Sequence, residues 1–262
     1  MEKLFIIKIG GNVIDDPGKL DSFLKEFAGI DCKKILVHGG GKIATAIGKK
    51  LNIQSKYIDG RRITDDETID LVTMVYGGLV NKKIVAKLQS IQCNAIGVTG
   101  ADANLLPAIK RPVKEIDFGW VGDVNAENIN TETWKLFLEN GITPVAAPLT
   151  HDNKGNILNT NADTIASILS VSMAKHYEVS LLFCFEKNGV LLDVNDENSV
   201  ISKLNPKEYL SLKKSNKLFA GILPKIDNAF DAINKGVKEV VIGNSSQLSS
   251  LINETGGTKI SL

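Results

Sequence analysis

Two glycine-rich turns, each closing a short apolar run, constrain this chain more than any other feature. The first run, Leu4-Phe5-Ile6-Ile7-Lys8-Ile9, ends in Gly10-Gly11; the second, Lys34-Ile35-Leu36-Val37-His38, ends in Gly39-Gly40-Gly41. Continuous apolar runs of this length read as strands covered on both faces. A turn without side chains lets backbone N–H groups converge on an anion, with the N-terminus of the next helix behind them. Two such turns close together, one with a lysine just ahead of its glycines, describe a site for a phosphate and a second anionic group.

Further strands are expected at 94–98, 142–147, 179–185 and 238–243, with helical stretches between most of them. This alternation predicts an α/β fold, a three-layer αβα sandwich with a mainly parallel central sheet and right-handed crossovers. With 262 residues, 43% of them hydrophobic, the chain can bury a core of that size. A modest boundary near 175 divides one continuous domain into an N-terminal lobe (1–175) and a C-terminal lobe (176–262).

The clearest helix is expected over 64–91, where Thr64 and Glu67 fit a capping box and Asp65 and Asp66 suit the first turn. Gly77-Gly78 in its middle costs about 1 kcal/mol per glycine relative to alanine. The pair marks either a local packing adjustment or close approach of another helix, including one from a second subunit. Helices are also expected over 162–175 and after Lys225. Pro107, Pro112, Gly119 and Gly122 break the stretch 105–130 into short antiparallel strands or a hairpin at the edge of the site.

The charge balance, 31 basic against 30 acidic residues for a net +1, argues against a one-signed surface for nucleic acid or membrane. Cys32, Cys93 and Cys184 fit neither a metal pattern nor a disulfide framework, which predicts a reducing cytoplasm. The run at 4–9 is too short to span a bilayer and begins too near Met1 for a signal peptide.

Several short motifs carry candidate chemistry. Lys8 stands at the carboxyl end of its strand, where open α/β sheets bind ligands, although a solvated lysine would look the same. Arg61-Arg62 precede a capped helix and suit carboxylates, or form a solvated basic turn. Asn159-Thr160-Asn161-Ala162-Asp163 holds more short polar side chains than a helix cap needs. Gly221-Ile222-Leu223-Pro224-Lys225 ends in a lysine at a helix start. Gly39 to Ala44 loosely fits a dinucleotide fingerprint but lacks the later acidic residue; a Walker A reading fails because Ile43 stands where Ser or Thr is needed. No Ser/His/Asp set is arguable, and His38 reads as a structural hydrogen-bonding group.

Taken in order, Lys-x-Gly-Gly, His-Gly-Gly-Gly, Gly-x-Arg-x-Thr, Asn-x-Asn-Ala-Asp and Gly-x-x-x-Lys resemble the amino acid kinase family, and within it the acetylglutamate kinase branch, over essentially the whole chain. The resemblance implies phosphorylation of the side-chain carboxylate of N-acetyl-L-glutamate by ATP with Mg²⁺, the metal carried by ATP, in arginine biosynthesis. By motif, it implies that Lys8 stabilises the phosphoryl group in flight, Lys225 acts on the ATP phosphates, and Asp163 holds both lysines. Gly10, Gly11, Gly40 and Gly41 would supply backbone N–H groups to phosphate and substrate. Arg62 would bind the α-carboxylate, and Asn159 would also contact the substrate.

The sequence departs from the family pattern in three places. Cys184-Phe185-Glu186-Lys187-Asn188 replaces the usual hydroxyl-Asp pair, which puts Phe185 and Glu186 on the nucleotide side. Lys42 and Arg61 add positive charge beside the substrate motifs, as a reader of an N-succinyl carboxylate would, or as solvated surface charge. The family's arginine-sensing N-terminal helix has no room before the first strand, which predicts an arginine-insensitive homodimer with helix 64–91 as its candidate interface. A non-catalytic nucleotide or amino-acid sensor is the alternative from another class; the altered 184–188 segment favours it, and the presence of Lys8, Asp163 and Lys225 opposes it.

Overall fold

The structure, a computed structural model, describes residues 1–58, 60–193, 195–215, 218 and 222–262. Its strands are β1 (Lys3–Ile9), β2 (Lys33–His38), β3 (Lys56–Ile58), β4 (Arg61–Ile63), β5 (Ala95–Val98), β6 (Ala108–Lys110) and β7 (Gly122–Val124). They continue as β8 (Thr143–Ala146), β9 (Leu149–His151), β10 (Ile157–Asn159), β11 (Glu178–Phe185), β12 (Lys203–Leu204), β13 (Glu239–Asn244) and β14 (Thr258–Ile260). The helices are α1 (Gly11–Ile14), α2 (Pro17–Ala28), α3 (Gly41–Lys50), α4 (Asp66–Val72), α5 (Asn81–Ser90) and α6 (Thr131–Glu139). After these come α7 (Ala162–Met173), α8 (Pro206–Lys214), α9 (Leu223–Asn234) and α10 (Leu248–Ile252).

Eight strands form the central sheet in the order β12-β14-β13-β11-β1-β2-β8-β5. Every neighbouring pair is parallel except β13 with β14. The apolar runs are continuous because both faces are covered. Leu4 and Ile6 of β1 join one core, with Trp134 of α6, Ile165 and Leu169 of α7 and Ile226 of α9. Phe5, Ile7 and Ile9 face a second core with Phe23 and Phe27 of α2, Leu71 of α4 and Leu251 of α10. The alternation of a pleated strand thus divides one apolar run between two helix layers, giving the expected αβα sandwich.

Strand order also positions the site. β1 lies between β2 and β11, and its Ile9 sits in register with His38 and Cys184, so the three strands end together. Gly39 N–H donates to the carbonyl of Ile9 at 3.0 Å, which joins the two glycine turns side by side.

Three expectations change. The stretch 64–91 is not one regular helix: α4 and α5 are joined by a π-helix over Thr73–Val80. Within it, a Cβ on Gly77 would lie 3.3 Å from Leu149, whereas Gly78 faces open space. The capping box is also replaced. Asp65 is the N-cap, its carboxylate accepting from Thr68 N–H at 2.9 Å, because Thr64 N–H already donates to the carbonyl of Phe118. Finally, α9 begins at Leu223, so Lys225 lies in its first turn rather than ahead of it. The hairpin expected within 105–130 is present as antiparallel β6 and β7.

Candidate active site

Above the carboxyl ends of β1 and β2 opens a cavity of about 590 Å³. Its anchor is Asp163, in the first turn of α7. Asn161 caps that helix, its side-chain oxygen accepting from Asp163 N–H at 2.8 Å and from Thr164 N–H at 3.2 Å. One carboxylate oxygen of Asp163 lies 2.7 Å from Lys8 Nζ, and the other accepts from Lys225 Nζ at 2.7 Å. A strand end and two helix starts, far apart in the chain, thus converge on one carboxylate. Burial alone would raise the Asp163 pKa, but the two ammonium groups outweigh it and hold it at about 2. Two cations share one anion, so the cluster keeps a positive excess aimed at the cavity.

The glycine turns form its floor. Lys8 Nζ arches over Gly10, 3.7 Å from where a Cβ would stand. Gly40 has φ +156°, and a Cβ there would lie 2.9 Å from the ring of Tyr76, so the close approach of turn and helix requires glycine. The N-termini of α3, α7 and α9 all border the cavity and add the positive ends of three helix dipoles.

Arg62 lines the same cavity, buried to 7% exposure. Its guanidinium donates to the Gly41 carbonyl at 2.9 Å, to Thr45 Oγ1 at 2.9 Å and to Ser55 Oγ, and it lies 4.8 Å over the Tyr57 ring. These contacts fasten the β3–β4 hairpin to the start of α3. Among the described residues no carboxylate pairs with it, and a buried guanidinium held only by neutral acceptors suits an incoming anion. Asn159, at the end of β10, donates through Nδ2 to Thr64 Oγ1 at 3.0 Å, which fixes its amide at the rim.

Of the candidates from sequence, the cavity gathers Lys8, Gly10, Gly11, Gly40, Gly41, Arg61, Arg62, Asn159, Asp163 and Lys225. Gly221, the glycine of the last motif, lies outside the described residues. Three candidates stand elsewhere. Lys42 is exposed and turns away from the cavity to Asn12 Oδ1, its methylenes packing over Gly11. Phe185 and Glu186 border a separate small hollow of about 180 Å³ behind Gly10-Gly11, where Glu186 accepts from Asn12 Nδ2. The helical turn of Gly11–Ile14 explains both shifts, because it inserts Asn12 between Lys42 and Glu186. Cys184, just before them, is fully buried and its thiol is pushed up to about 12 by that burial, which removes it from reactivity.

His38 is the structural residue that its context implied. Its Nδ1 lies 2.6 Å from the Gly39 carbonyl and donates to it, while Nε2 accepts from Asn81 Nδ2 at 3.1 Å. Burial lowers its pKa to about 4, so the ring is neutral near pH 7.

Sequence reasoning missed Tyr57, Tyr76, and the pair Arg111 and Asp123, which wall the cavity with a 2.6 Å ion pair across the β6–β7 hairpin. Tyr76 had a signal, an aromatic directly before the glycine pair; Arg111 and Asp123 had none that periodicity could resolve.

Comparison with known proteins agrees with this geometry. The model of the amino acid kinase family matches residues 3–244. An acetylglutamate kinase of Cytophaga hutchinsonii is 56% identical over 263 residues, covering 99% of each chain. One of Bacteroides fragilis is 50% identical over 259 residues, covering 99% of this chain and 97% of the relative. Among solved structures, a Streptococcus mutans protein superposes with a TM-score of 0.78 at 27% identity, covering 98% of both chains. A family match over nearly the whole sequence, with relatives half or more identical along the full chain, means that this chain belongs to the amino acid kinase family.

Proposed function

We propose that the protein catalyses ATP-dependent phosphorylation of the side-chain carboxylate of N-acetyl-L-glutamate, giving the acyl phosphate and ADP, as a step in arginine biosynthesis. The carrying observation is the pairing of one carboxylate, Asp163, with two lysines in a cavity that also holds a buried arginine with no carboxylate partner among the described residues. Full-length relatives named acetylglutamate kinase support the choice of acceptor.

The chemistry suits the residues. The acceptor carboxylate is ionised near pH 7 and needs no general base. One of its oxygens attacks the γ-phosphorus; that O–P bond forms as the bond to the β,γ-bridging oxygen breaks, and ADP leaves with the electron pair. What the protein must supply is alignment and positive charge around the phosphoryl oxygens. Lys8 and the N–H groups of Gly10 and Gly11 serve the group in flight, and Lys225 serves the phosphates of the leaving ADP. Asp163 orients both lysines. Arg62 takes the α-carboxylate, with Gly40, Gly41 and Asn159 around the acyl-amino end. The strands up to Asn159 carry the acyl-glutamate lobe (1–175), and those from Glu178 the ATP lobe (176–262). Mg²⁺ bound to the ATP phosphates supplies further positive charge at the transferring group.

The protein works as a cytoplasmic homodimer in this reading. Its three cysteines are free, and no helix among the described residues is long and apolar enough to cross a membrane. Met74, 57% exposed, and Leu79, 36% exposed, flank open Gly78 on the π-helix and give a second copy an apolar surface. The reaction is tested by trapping: with ATP, Mg²⁺, N-acetyl-L-glutamate and hydroxylamine, the enzyme should yield the acyl hydroxamate. ADP formation without hydroxamate would mean that the phosphoryl group goes to water and would sink the proposal.

A further inference from the structure

The hydroxyl of Tyr76 is a buried polar group on the cavity wall. Tyr76 sits in the middle of the π-helix (Thr73–Val80), and π-turns concentrate at functional sites because the extra residue per turn redirects side chains. The residue is 5% exposed, and what remains exposed borders the cavity. Its ring fills the space beneath Gly40, and its hydroxyl lies 4.0 Å from the Cβ position of Gly41, as Arg62 Nη2 does at 3.9 Å. Phenol and guanidinium therefore meet at the same glycine. The neighbouring Tyr57 hydroxyl is engaged with Thr45 Oγ1 at 2.9 Å, whereas the Tyr76 oxygen faces the Arg62 guanidinium, which can only donate to it and so leaves the phenol O–H proton unused. A phenol this enclosed, with only a donor beside its oxygen and a ligand cavity alongside, lacks an acceptor for its own O–H that a bound anion would supply.

We propose that Tyr76 is a substrate-binding residue that donates its O–H to the α-carboxylate held by Arg62, so that the acceptor's amino-acid end is read by a phenol and a guanidinium together. The inference rests on the acyl-glutamate kinase reading and deepens it. The phenol is the right donor for the place. It is neutral, so it adds no charge to be buried, and the Arg62 charge beside it strengthens its bond to a shared anion. The π-helix fixes its height: Val75 and Val80 are packed in the core on either side of it, so the ring has little freedom to withdraw.

The test is Tyr76→Phe, which keeps the ring under Gly40 and deletes only the hydroxyl. KM for N-acetyl-L-glutamate should rise about tenfold, the size of one hydrogen bond to a charged group, while KM for ATP and the melting temperature stay at wild-type values. A variant with wild-type KM for the acceptor overturns the inference. So does one in which both KM values and the melting temperature shift together, which would make the residue a packing element. Absence of acceptor-dependent ADP release in the wild-type enzyme would instead overturn the underlying kinase reading, so the two failures are distinct.

Discussion

Asp163 remains ionised in a largely buried position because two ammonium groups pay for its desolvation. Its carboxyl titrates at about 2 rather than at its ordinary 3.8. A depressed carboxylate pKa stabilises the fold above the unfolded value and ceases to do so as pH falls through the folded one. The Lys8–Asp163–Lys225 cluster is therefore intact above pH 3.8 and fades only as pH drops toward 2. Loss of activity in mildly acidic solution would have to come from another group. Asp163→Asn removes the charge and leaves two ammonium groups facing each other across a neutral amide. It should lower kcat by roughly 100-fold, the scale of losing preorganised electrostatic stabilisation, and should also lower the melting temperature. A variant with wild-type kcat in an ADP-release assay would show that Asp163 does not position the lysines for transfer.

The elements explain both what was legible and what was not. The six strands could be read because a strand covered on both faces must be continuously apolar, and 4–9 and 34–38 are. The site could be read as far as it sits at strand ends and helix starts: Lys8, Gly40, Asp163 and Lys225 all occupy such positions, and the topology alone brings them together. For Lys42 both readings stayed open because sequence proximity to Gly41 says nothing about which way α3 turns the side chain; it points to Asn12. Thr64 was misread as a cap because its amide is claimed by Phe118, some fifty residues away in a hairpin whose docking against α4 no local pattern announces. The π-helix left only the trace of Gly77-Gly78, yet it has the largest consequence. It turns Tyr76 toward the cavity and leaves Met74 and Leu79 on the outside. If that outer surface is the dimer contact, Met74→Lys with Leu79→Lys should convert a dimer into a monomer in light scattering; a wild-type monomer would contradict it.

The whole molecule reads as two halves of one sheet, joined where β1 meets β11. Lys8 comes from one half and Lys225 from the other, and Asp163 stands at the join with a carboxylate oxygen for each. This arrangement suits a reaction in which an amino-acid anion and a nucleotide must be aligned in line and shielded from mutual repulsion. Its neutral His38, tied to Asn81 in the core, takes no part in proton transfer, in keeping with an acceptor that arrives already ionised. What defines the enzyme is the identity of that acceptor. The most direct measurement is coupled ADP release with ATP and Mg²⁺, comparing N-acetyl-L-glutamate with N-succinyl-L-glutamate, L-glutamate and L-aspartate. Release should depend on N-acetyl-L-glutamate and exceed that with the other three. Release driven only by one of the others, or none above the rate without acceptor, would contradict it.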